Sequence, residues 1–534
     1  MTSEPKAFLT FDAGAATIAA SLIGRMAGRW RLIGSLALPA GADPAAVASA
    51  LVDRAVAADP GLTSSIGLRA GIAADLPRLS VSSHRPQLLA VVAASERALA
   101  PLLATASRSG WRTVAATTET TDPLALSRML LESEVRGILV GAADPPAADE
   151  RRGLAELAAL VAAVAERRED LTVILAGGMA AHLPSFGPVA GRPGETLLGP
   201  AAGRGPAGGP LGELLLGLAL PADDARRALG AAVQTLADIL DRRVDVVEIG
   251  HDAGSRAGAW PAVGNGVSGL DLAVVSSAAL VPDDPDDTFL DRVGSWSTLG
   301  ADRHRLRDRL HELRIAPWSA ATGDGAALRM AAARVALGRL AESTQSWVDR
   351  PAADLVVATG GVWAVASAPA VALALVDVLR RHGASQFALD HARLLAPLGV
   401  IPDADERRAM IADLADDLLV PLGTIVTPVG LRPGRTAGAL VVHGATGSME
   451  LDLVSGGLSL VDLPPGRSAV AEFRFRDTVR LGATGRHFAV DVTGGLGGLL
   501  VDLRDVPLRL PDRADRRAEL LETWQASLRP GRAR

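Results

Sequence analysis

Residues 8–14 read Phe-Leu-Thr-Phe-Asp-Ala-Gly, an apolar run that ends in a carboxylate with a glycine two residues later. Residues 244–250, Val-Asp-Val-Val-Glu-Ile-Gly, repeat this arrangement farther along the chain. A third apolar run, residues 355–361, ends in Ala-Thr-Gly-Gly. Each pattern predicts a buried strand that leads into a tight turn. Because such turns present backbone N–H groups to phosphate beside a carboxylate that can hold hydrated Mg²⁺, the three runs predict a nucleotide-binding cleft.

Composition removes several classes of mechanism. The chain has 534 residues, of which 49% are hydrophobic and 21% charged, with a net charge of −6, which is typical of a globular protein with several domains. The absence of cysteine excludes disulfides, thiolate nucleophiles and cysteine-based metal sites. Lys6 is the only lysine, which excludes a phosphate-loop lysine and a pyridoxal Schiff base elsewhere. A phosphate-binding turn that carries a carboxylate for Mg²⁺ needs neither cysteine nor lysine.

Apolar periodicity predicts an α/β protein with three parts. Residues 1–240 form a first unit, which begins with consecutive strands and contains an inserted parallel βα region at about 87–180. Residues 241–415 form a second, related unit. Residues 416–534 contain short alternating runs at roughly ten-residue spacing, which predict an all-β domain followed by a terminal helix.

Several motifs resemble the glutamate mutase L family of the actin, Hsp70 and sugar-kinase ATPase superfamily. They are the opening strand and turn at 9–14, the runs Gly-Ile-Leu-Val-Gly at 137–141 and Val-Ile-Leu-Ala-Gly at 173–177, the double glycine at 360–361, and Leu-Asp followed by Leu-Leu-Ala-Pro-Leu-Gly-Val within 389–400. The resemblance spans about residues 7–405. It implies two actin-like (RNase H-like) ATPase units, ATP and Mg²⁺ as cofactors, and a reactivating or chaperone role toward the subunits of an adenosylcobalamin-dependent mutase.

On this interpretation each candidate residue has a role. Asp12 would hold Mg²⁺, and Glu248 would position or polarise the attacking water, which makes these two the candidate catalytic residues. The candidate nucleotide-binding residues are Gly14, Thr17, Gly250, Thr359, Gly360 and Gly361.

The chain also departs from the family pattern in both loops. Ala15 and Ala16 stand where the family has hydroxyl residues, so Thr17 is the nearest hydroxyl, and Glu248 and His251 replace an aspartate and a glycine. ATPase activity with degenerate phosphate loops, a nucleotide-free interaction scaffold and a small-molecule kinase therefore all stay open. No catalytic base for a kinase can be placed from the sequence.

Other patterns predict less. Residues 203–208 match a dinucleotide fingerprint, but no strand precedes them and a proline lies within the turn. Residues 355–376 carry no charge, but the glycines and a proline predict a buried strand, turn and helix rather than a membrane span. The N-terminus lacks a long apolar run, so we expect a cytoplasmic protein. The mildly acidic balance argues against nucleic-acid binding.

Overall fold

A computed structural model gives the architecture of most of the chain. It describes residues 6–69, 71–146, 150–186, 195–202, 209–262, 268–297, 302–317, 322–345, 352–379, 382–432, 434–445, 447–504 and 508–528. The dinucleotide-like residues 203–208 lie outside these ranges.

The first unit is built on a four-stranded sheet. Its elements are β1 (Ala7–Ala13), β2 (Thr17–Met26), β3 (Arg29–Pro39), α1 (Pro44–Ala58), α2 (Gly61–Ile66), a 3₁₀ turn (Ile72–Asp75) and β4 (Arg78–Ser82). The strand order is β3-β2-β1-β4, in which β1 is antiparallel to β2 and parallel to β4. Helix α1 begins at Pro44, because Asp43 accepts a hydrogen bond from the N–H of Ala45 and Pro44 occupies the first turn.

A five-stranded parallel sheet is inserted after β4. Its elements are β5 (Leu88–Ala93), α3 (Glu96–Ala106), β6 (Arg112–Thr117), α4 (Pro123–Leu131), β7 (Val135–Ala142), α5 (Glu150–Arg167), β8 (Thr172–Gly177), a 3₁₀ helix (Gly178–Phe186), β9 (Thr196–Gly199) and α6 (Gly209–Ala219). The strand order is β6-β5-β7-β8-β9. The parallel βα pattern matches the prediction, but β9 lies shortly before residues 203–208, where the sequence predicts no strand. Its four residues, which lie between glycine-rich segments, are too few to show the apolar and polar alternation from which a strand is predicted.

The second unit repeats the order of the first and adds a strand. Its elements are α7 (Ala225–Leu240), β10 (Val244–Ile249), β11 (Gly254–Trp260), β12 (Gly269–Val275), a 3₁₀ turn (Ser276–Ala278), α8 (Asp287–Trp296), α9 (Arg303–Ile315), α10 (Gly323–Ser343), β13 (Leu355–Thr359), a 3₁₀ turn (Gly361–Val365), α11 (Ala368–Val378), β14 (Gly383–Leu389), α12 (Leu395–Gly399) and α13 (Ala404–Leu418). The order β12-β11-β10-β13-β14 places antiparallel strands on one side of β10 and parallel strands on the other. This duplicated arrangement is the actin-like ATPase fold.

The C-terminal strands divide between two sheets. Their elements are β15 (Val420–Thr427), β16 (Thr436–Gly444), β17 (Gly447–Val454), β18 (Leu458–Val461), β19 (Ser468–Leu481), β20 (Ala483–Thr493), β21 (Leu499–Asp502) and α14 (Ala514–Ser527). Strands β17-β16-β19-β20 form an antiparallel sheet of their own, whereas β15, β21 and β18 continue the sheet of the second unit beyond β14. The sequence predicts strands here but not their division.

Helices α7 and α12 of the second unit pack against each other, and α12 also contacts β1 and β4 of the first unit. A Cβ atom at Gly399 would lie 1.9 Å from the carbonyl oxygen of Ala228, so glycine allows the two helices to approach closely.

Residues 355–376 form the buried strand, turn and helix that the sequence predicts. Among the described residues, no helix is long and apolar enough to cross a membrane.

Candidate functional site

The carboxyl ends of β1, β10, β13 and β14 meet at a cavity of about 190 Å³, called the cleft below. The strand that leads to each predicted turn is buried. Its wall contains every residue that the sequence nominates: Asp12, Gly14, Thr17, Glu248, Gly250, Thr359, Gly360 and Gly361.

The two carboxylate-bearing turns have the same backbone geometry. The N–H of Gly14 donates to the carbonyl of Thr17 at 2.8 Å, and the N–H of Gly250 donates to the carbonyl of Ala253 at 3.0 Å. The two glycines are therefore equivalent, and the hydroxyl position of the first turn is occupied by alanine in the second. Asp252, which begins a second Asp-Ala-Gly sequence, lies within the turn and forms an ion pair with Arg314 at 3.1 Å.

Strand register makes the two carboxylates equivalent as well. Asp12 pairs with Ala19 across the first hairpin, and Glu248 pairs with Ser255 across the second. The second pair carries an added hydroxyl, which donates a hydrogen bond of 2.5 Å to Glu248. Glu248 therefore occupies the position of Asp12 but is held by a local donor that Asp12 lacks.

Asp12 has an arginine partner from the second unit. Nε of Arg393 lies 3.5 Å from Oδ2 of Asp12, and Nη1 of Arg393 donates to the hydroxyl of Thr17 at 2.6 Å. Burial raises the pKa of Asp12, while the positive charges of Arg393 and Arg226 oppose that rise. Arg393 adopts a left-handed backbone conformation with φ of 52°, which is uncommon for a residue other than glycine.

Glu248 lies beside a second buried arginine. Nε of Arg226 is 3.9 Å from Oε2 of Glu248, and Nη1 of Arg226 is 3.8 Å from Asp224, which caps α7. Burial raises the pKa of Glu248, and the charge of Arg226 and the hydrogen bond from Ser255 oppose that rise. A carboxylate with a raised pKa is a better proton acceptor, which suits the role predicted for Glu248.

Asp390 is a third buried carboxyl group in the cleft wall. It accepts hydrogen bonds from the hydroxyl of Thr359 at 3.0 Å and from the N–H groups of Leu394 and Leu395 at 2.9 and 3.2 Å. Burial outweighs these bonds and raises the pKa of Asp390 to about 6. The hydroxyl of Thr359, a residue that the sequence nominates for nucleotide binding, thus donates its hydrogen bond to Asp390.

The double glycine brings the two units into contact. Gly360 has φ of +101°, and a Cβ atom there would lie 2.8 Å from the carbonyl oxygen of Ile249. A Cβ atom at Gly361 would lie 3.2 Å from the hydroxyl oxygen of Thr17. Any other residue at Gly360 would therefore both strain the backbone and push β13 away from the second turn.

Three arginines in the cleft wall are not predicted from the sequence. Arg226, Arg329 and Arg393 are 2%, 6% and 8% exposed. Within the described part of the chain, Nε of Arg226, Nη2 of Arg393, and both Nε and Nη2 of Arg329 are buried without a hydrogen-bond partner. Buried unpaired donors are costly, and an anionic ligand would satisfy them. In so arginine-rich a chain no local motif marks these three residues, although Arg393 lies within the family-like segment 389–400.

The carboxylate oxygens in the cleft are suitable ligands for a Mg²⁺ ion that binds together with a triphosphate. Among the described residues, no three His, Cys, Asp or Glu side chains cluster as a metal-binding group. Mg²⁺ commonly keeps several waters and binds through one or two carboxylates together with substrate phosphates, so a complete protein cage is not required. Asp12 supplies such a carboxylate.

Two other acidic or histidine-rich segments have structural roles. Asp286 caps α8 by accepting from the N–H of Phe289 at 2.6 Å, and Asp283 accepts from Nη2 of Arg85 at 2.6 Å. His304 lies in the first turn of the charged helix α9, where its backbone N–H donates to the capping residue Asp302 at 3.0 Å.

Comparison with known proteins does not assign the chain to a family. No family model matches the chain, and no curated protein matches it. Among solved structures, a Ppx/GppA family protein from Aquifex aeolicus is similar at 9% identity over 77% of this chain and 88% of that chain, with a TM-score of 0.19. The PilM–PilN type IV pilus biogenesis complex gives 12% identity over 76% and 98%, with a TM-score of 0.24. Acetate kinase from Entamoeba histolytica gives 13% identity over 73% and 97%, with a TM-score of 0.21. These low scores carry no inference about activity, and the fold assignment rests on the strand order.

Proposed function

We propose that the chain binds a nucleoside triphosphate with Mg²⁺ in the cleft and hydrolyses it to the diphosphate and phosphate. ATP is the nucleotide that the family resemblance implies. The observation that carries the proposal is the equivalence of Asp12 and Glu248, which end matching strands of the two units and line one cavity. The unpaired donors of Arg226 and Arg393 beside them supply positive charge for phosphate.

Each residue has a stated task in this proposal. Mg²⁺ at Asp12 would neutralise charge on the triphosphate. The turn at Gly14 and the turn at Gly250 would contact phosphate through their backbones, as acidic-loop turns can. Glu248 would orient the attacking water and accept its proton, which its raised pKa favours. Arg393 would move from Asp12 to phosphate when the ligand enters.

The proposed partner is an adenosylcobalamin-dependent mutase, toward which the chain would act as a reactivating chaperone. The support for this finer proposal is the sequence resemblance over residues 7–405. It predicts that a mutase subunit is retained by the immobilised full chain and that Mg²⁺ and ATP change the amount retained. Retention that is identical with and without nucleotide would contradict the reactivating role.

A nucleotide-free scaffold is the second candidate, and one observation favours it. Arg393 already neutralises Asp12 and engages the hydroxyl of Thr17. In a scaffold this arrangement would be permanent and would hold the two units together. A scaffold would bind its partner equally well with and without ATP, and Asp12→Asn would leave that binding unchanged.

Calorimetric titration of the full chain with ATP and Mg²⁺ tests the first candidate. We expect Asp12→Asn to weaken Mg²⁺-dependent binding at least several-fold, because it removes the proposed metal ligand. Asp53→Asn is the matched control, since Asp53 is an exposed aspartate on α1 of the same unit. Absence of binding heat with ATP and with every other nucleoside triphosphate, under conditions where a reference ATPase binds, would contradict the proposed function.

A further inference from the structure

Arg329 is a buried cation that the proposed chemistry does not use. It lies on α10 and lines the cleft with only 6% of its surface exposed. Burial lowers the pKa of its guanidinium, and no carboxylate contributes to that shift. Because an isolated buried charge is unfavourable in a protein, the arrangement points to a ligand group that completes it.

The position of Arg329 separates it from the carboxylates. Arg226 and Arg393 form ion pairs with Glu248 and Asp12, whereas among the described residues no ion pair joins Arg329 to either carboxylate. Helix α10 packs against the 3₁₀ turn Gly361–Val365. The cleft wall includes the apolar residues Val362 and Val365 of that turn. Arg329 therefore reaches the cleft from the helix that packs against the double-glycine turn, apart from both carboxylates, where the base or ribose of a bound nucleotide would lie.

The free atoms of Arg329 define what it can recognise. Nε and Nη2, which are buried without a hydrogen-bond partner among the described residues, form the edge of a guanidinium that donates two parallel hydrogen bonds. Guanine offers two adjacent acceptors, O6 and N7, to such an edge. A phosphate or carboxylate group does the same. Adenine offers one acceptor and one donor, N7 and the N6 amino group, so it would oppose one of the two donors.

We propose that Arg329 determines the specificity of the cleft by binding a pair of adjacent acceptors on a part of the ligand away from the two carboxylates. The pair belongs either to a 6-oxopurine base or to a second anionic group, and an adenine nucleotide without such a group binds more weakly. This inference rests on the proposed function, since it assumes a nucleotide in the cleft, and it narrows the ligand class.

Two ligand pairs distinguish the two sources in titrations of the full chain with Mg²⁺. GTP against ATP tests the base, and adenosine 3′,5′-bisphosphate against AMP tests a second phosphate. We expect at least one pair to show about tenfold or greater preference for the ligand with paired acceptors. Arg329→Met removes the donors, and Arg329→Lys keeps the charge without the fork, so both variants should reduce that preference to within about twofold.

Arg339→Met is the control, because Arg339 is on the same helix but is not part of the cleft wall. Thermal unfolding of each variant shows whether it remains folded. Equal binding within both ligand pairs, or a preference that survives in Arg329→Met, would overturn this inference while leaving the proposed function intact. Absence of binding by every nucleotide would overturn both.

Discussion

Asp12 and Arg393 connect the two units across the cleft, with Nε of the arginine 3.5 Å from Oδ2 of the aspartate. Both side chains are largely buried, at 14% and 9% exposure. The carboxylate comes from the first strand of the first unit, and the arginine follows the last βα strand of the second. The residue proposed to hold Mg²⁺ is therefore paired with an internal cation, and a ligand in the cleft must compete with that pair.

Removal of this cation should destabilise the chain in the absence of ligand. Arg393→Met leaves the carboxylate of Asp12 buried without its partner, and we expect a loss of about 3 kcal/mol in the free energy of unfolding. The double variant Asp12→Asn/Arg393→Met should lose less than the sum of the single variants, because it removes both charges. Urea unfolding measures each value, with the exposed Arg408→Met as control. Additive losses would show that the two residues are not coupled.

The residues that the sequence nominates share one cavity, and they could be found from the sequence because their signals are local. A buried strand, a carboxylate and a glycine follow one another directly in the sequence. The positions of Asp12, Glu248 and the double glycine can therefore be predicted from residue spacing alone. Arg226 and Arg393 reach the same cavity from α7 and from the loop after β14, and only the tertiary fold brings them there. The same reason explains the C-terminal strands, whose alternation predicts that they are strands but not which sheet they join.

Gly360 should tolerate no side chain. Gly360→Ala places a Cβ atom 2.8 Å from the carbonyl oxygen of Ile249 at a φ of +101°, and we expect it to lower the free energy of unfolding by about 1–3 kcal/mol. Gly338→Ala is the matched control, because Gly338 lies in α10 with no atom within 4 Å of its added Cβ. That change should be neutral or stabilising by up to about 1 kcal/mol. Equal effects in thermal unfolding would contradict the close approach of β13 to the second turn.

Asp390 should make stability fall as pH rises. Its pKa is about 6 in the folded chain against an ordinary value of 3.8, so the folded state binds more protons between these values. The free energy of unfolding contributed by Asp390 is then largest below pH 4 and decreases by about 3 kcal/mol as pH rises through 6. Burial also raises the pKa of Asp12 and of Glu248, and their contributions have the same sign.

Urea unfolding at intervals from pH 4 to pH 7 measures this dependence. Asp390→Asn cannot titrate, so its unfolding free energy should decline less steeply with rising pH than that of the unaltered chain. The comparison uses slopes, because the asparagine amide also disturbs the hydrogen bonds from Leu394 and Leu395. Asp53→Asn, an exposed control, should keep the original slope. Identical slopes in all three proteins would contradict a raised pKa at Asp390.

The C-terminal region should not separate from the second unit as an independent domain. Strands β15, β21 and β18 extend the sheet beyond β14, and Leu422, Leu500 and Trp524 belong to the same apolar core as Val356 and Ala358. A chain ending at residue 415 would expose the edge of β14 and the part of that core against which Leu422, Leu500 and Trp524 pack. We expect it to be insoluble or to unfold at a markedly lower temperature, whereas the full second unit and C-terminal region should unfold in one transition.

A point substitution tests the same idea in a chain that keeps all its strands. Leu500→Ala removes a side chain that is 2% exposed, so we expect it to lower the free energy of unfolding by about 2–4 kcal/mol. Hydrogen exchange should then accelerate at the amides of β13 and β14 as well as at those of β21, because one core stabilises all three strands. Leu496→Ala is the control, since Leu496 is 58% exposed. Faster exchange confined to β21 and the neighbouring β18 would instead show that the C-terminal region folds and unfolds on its own.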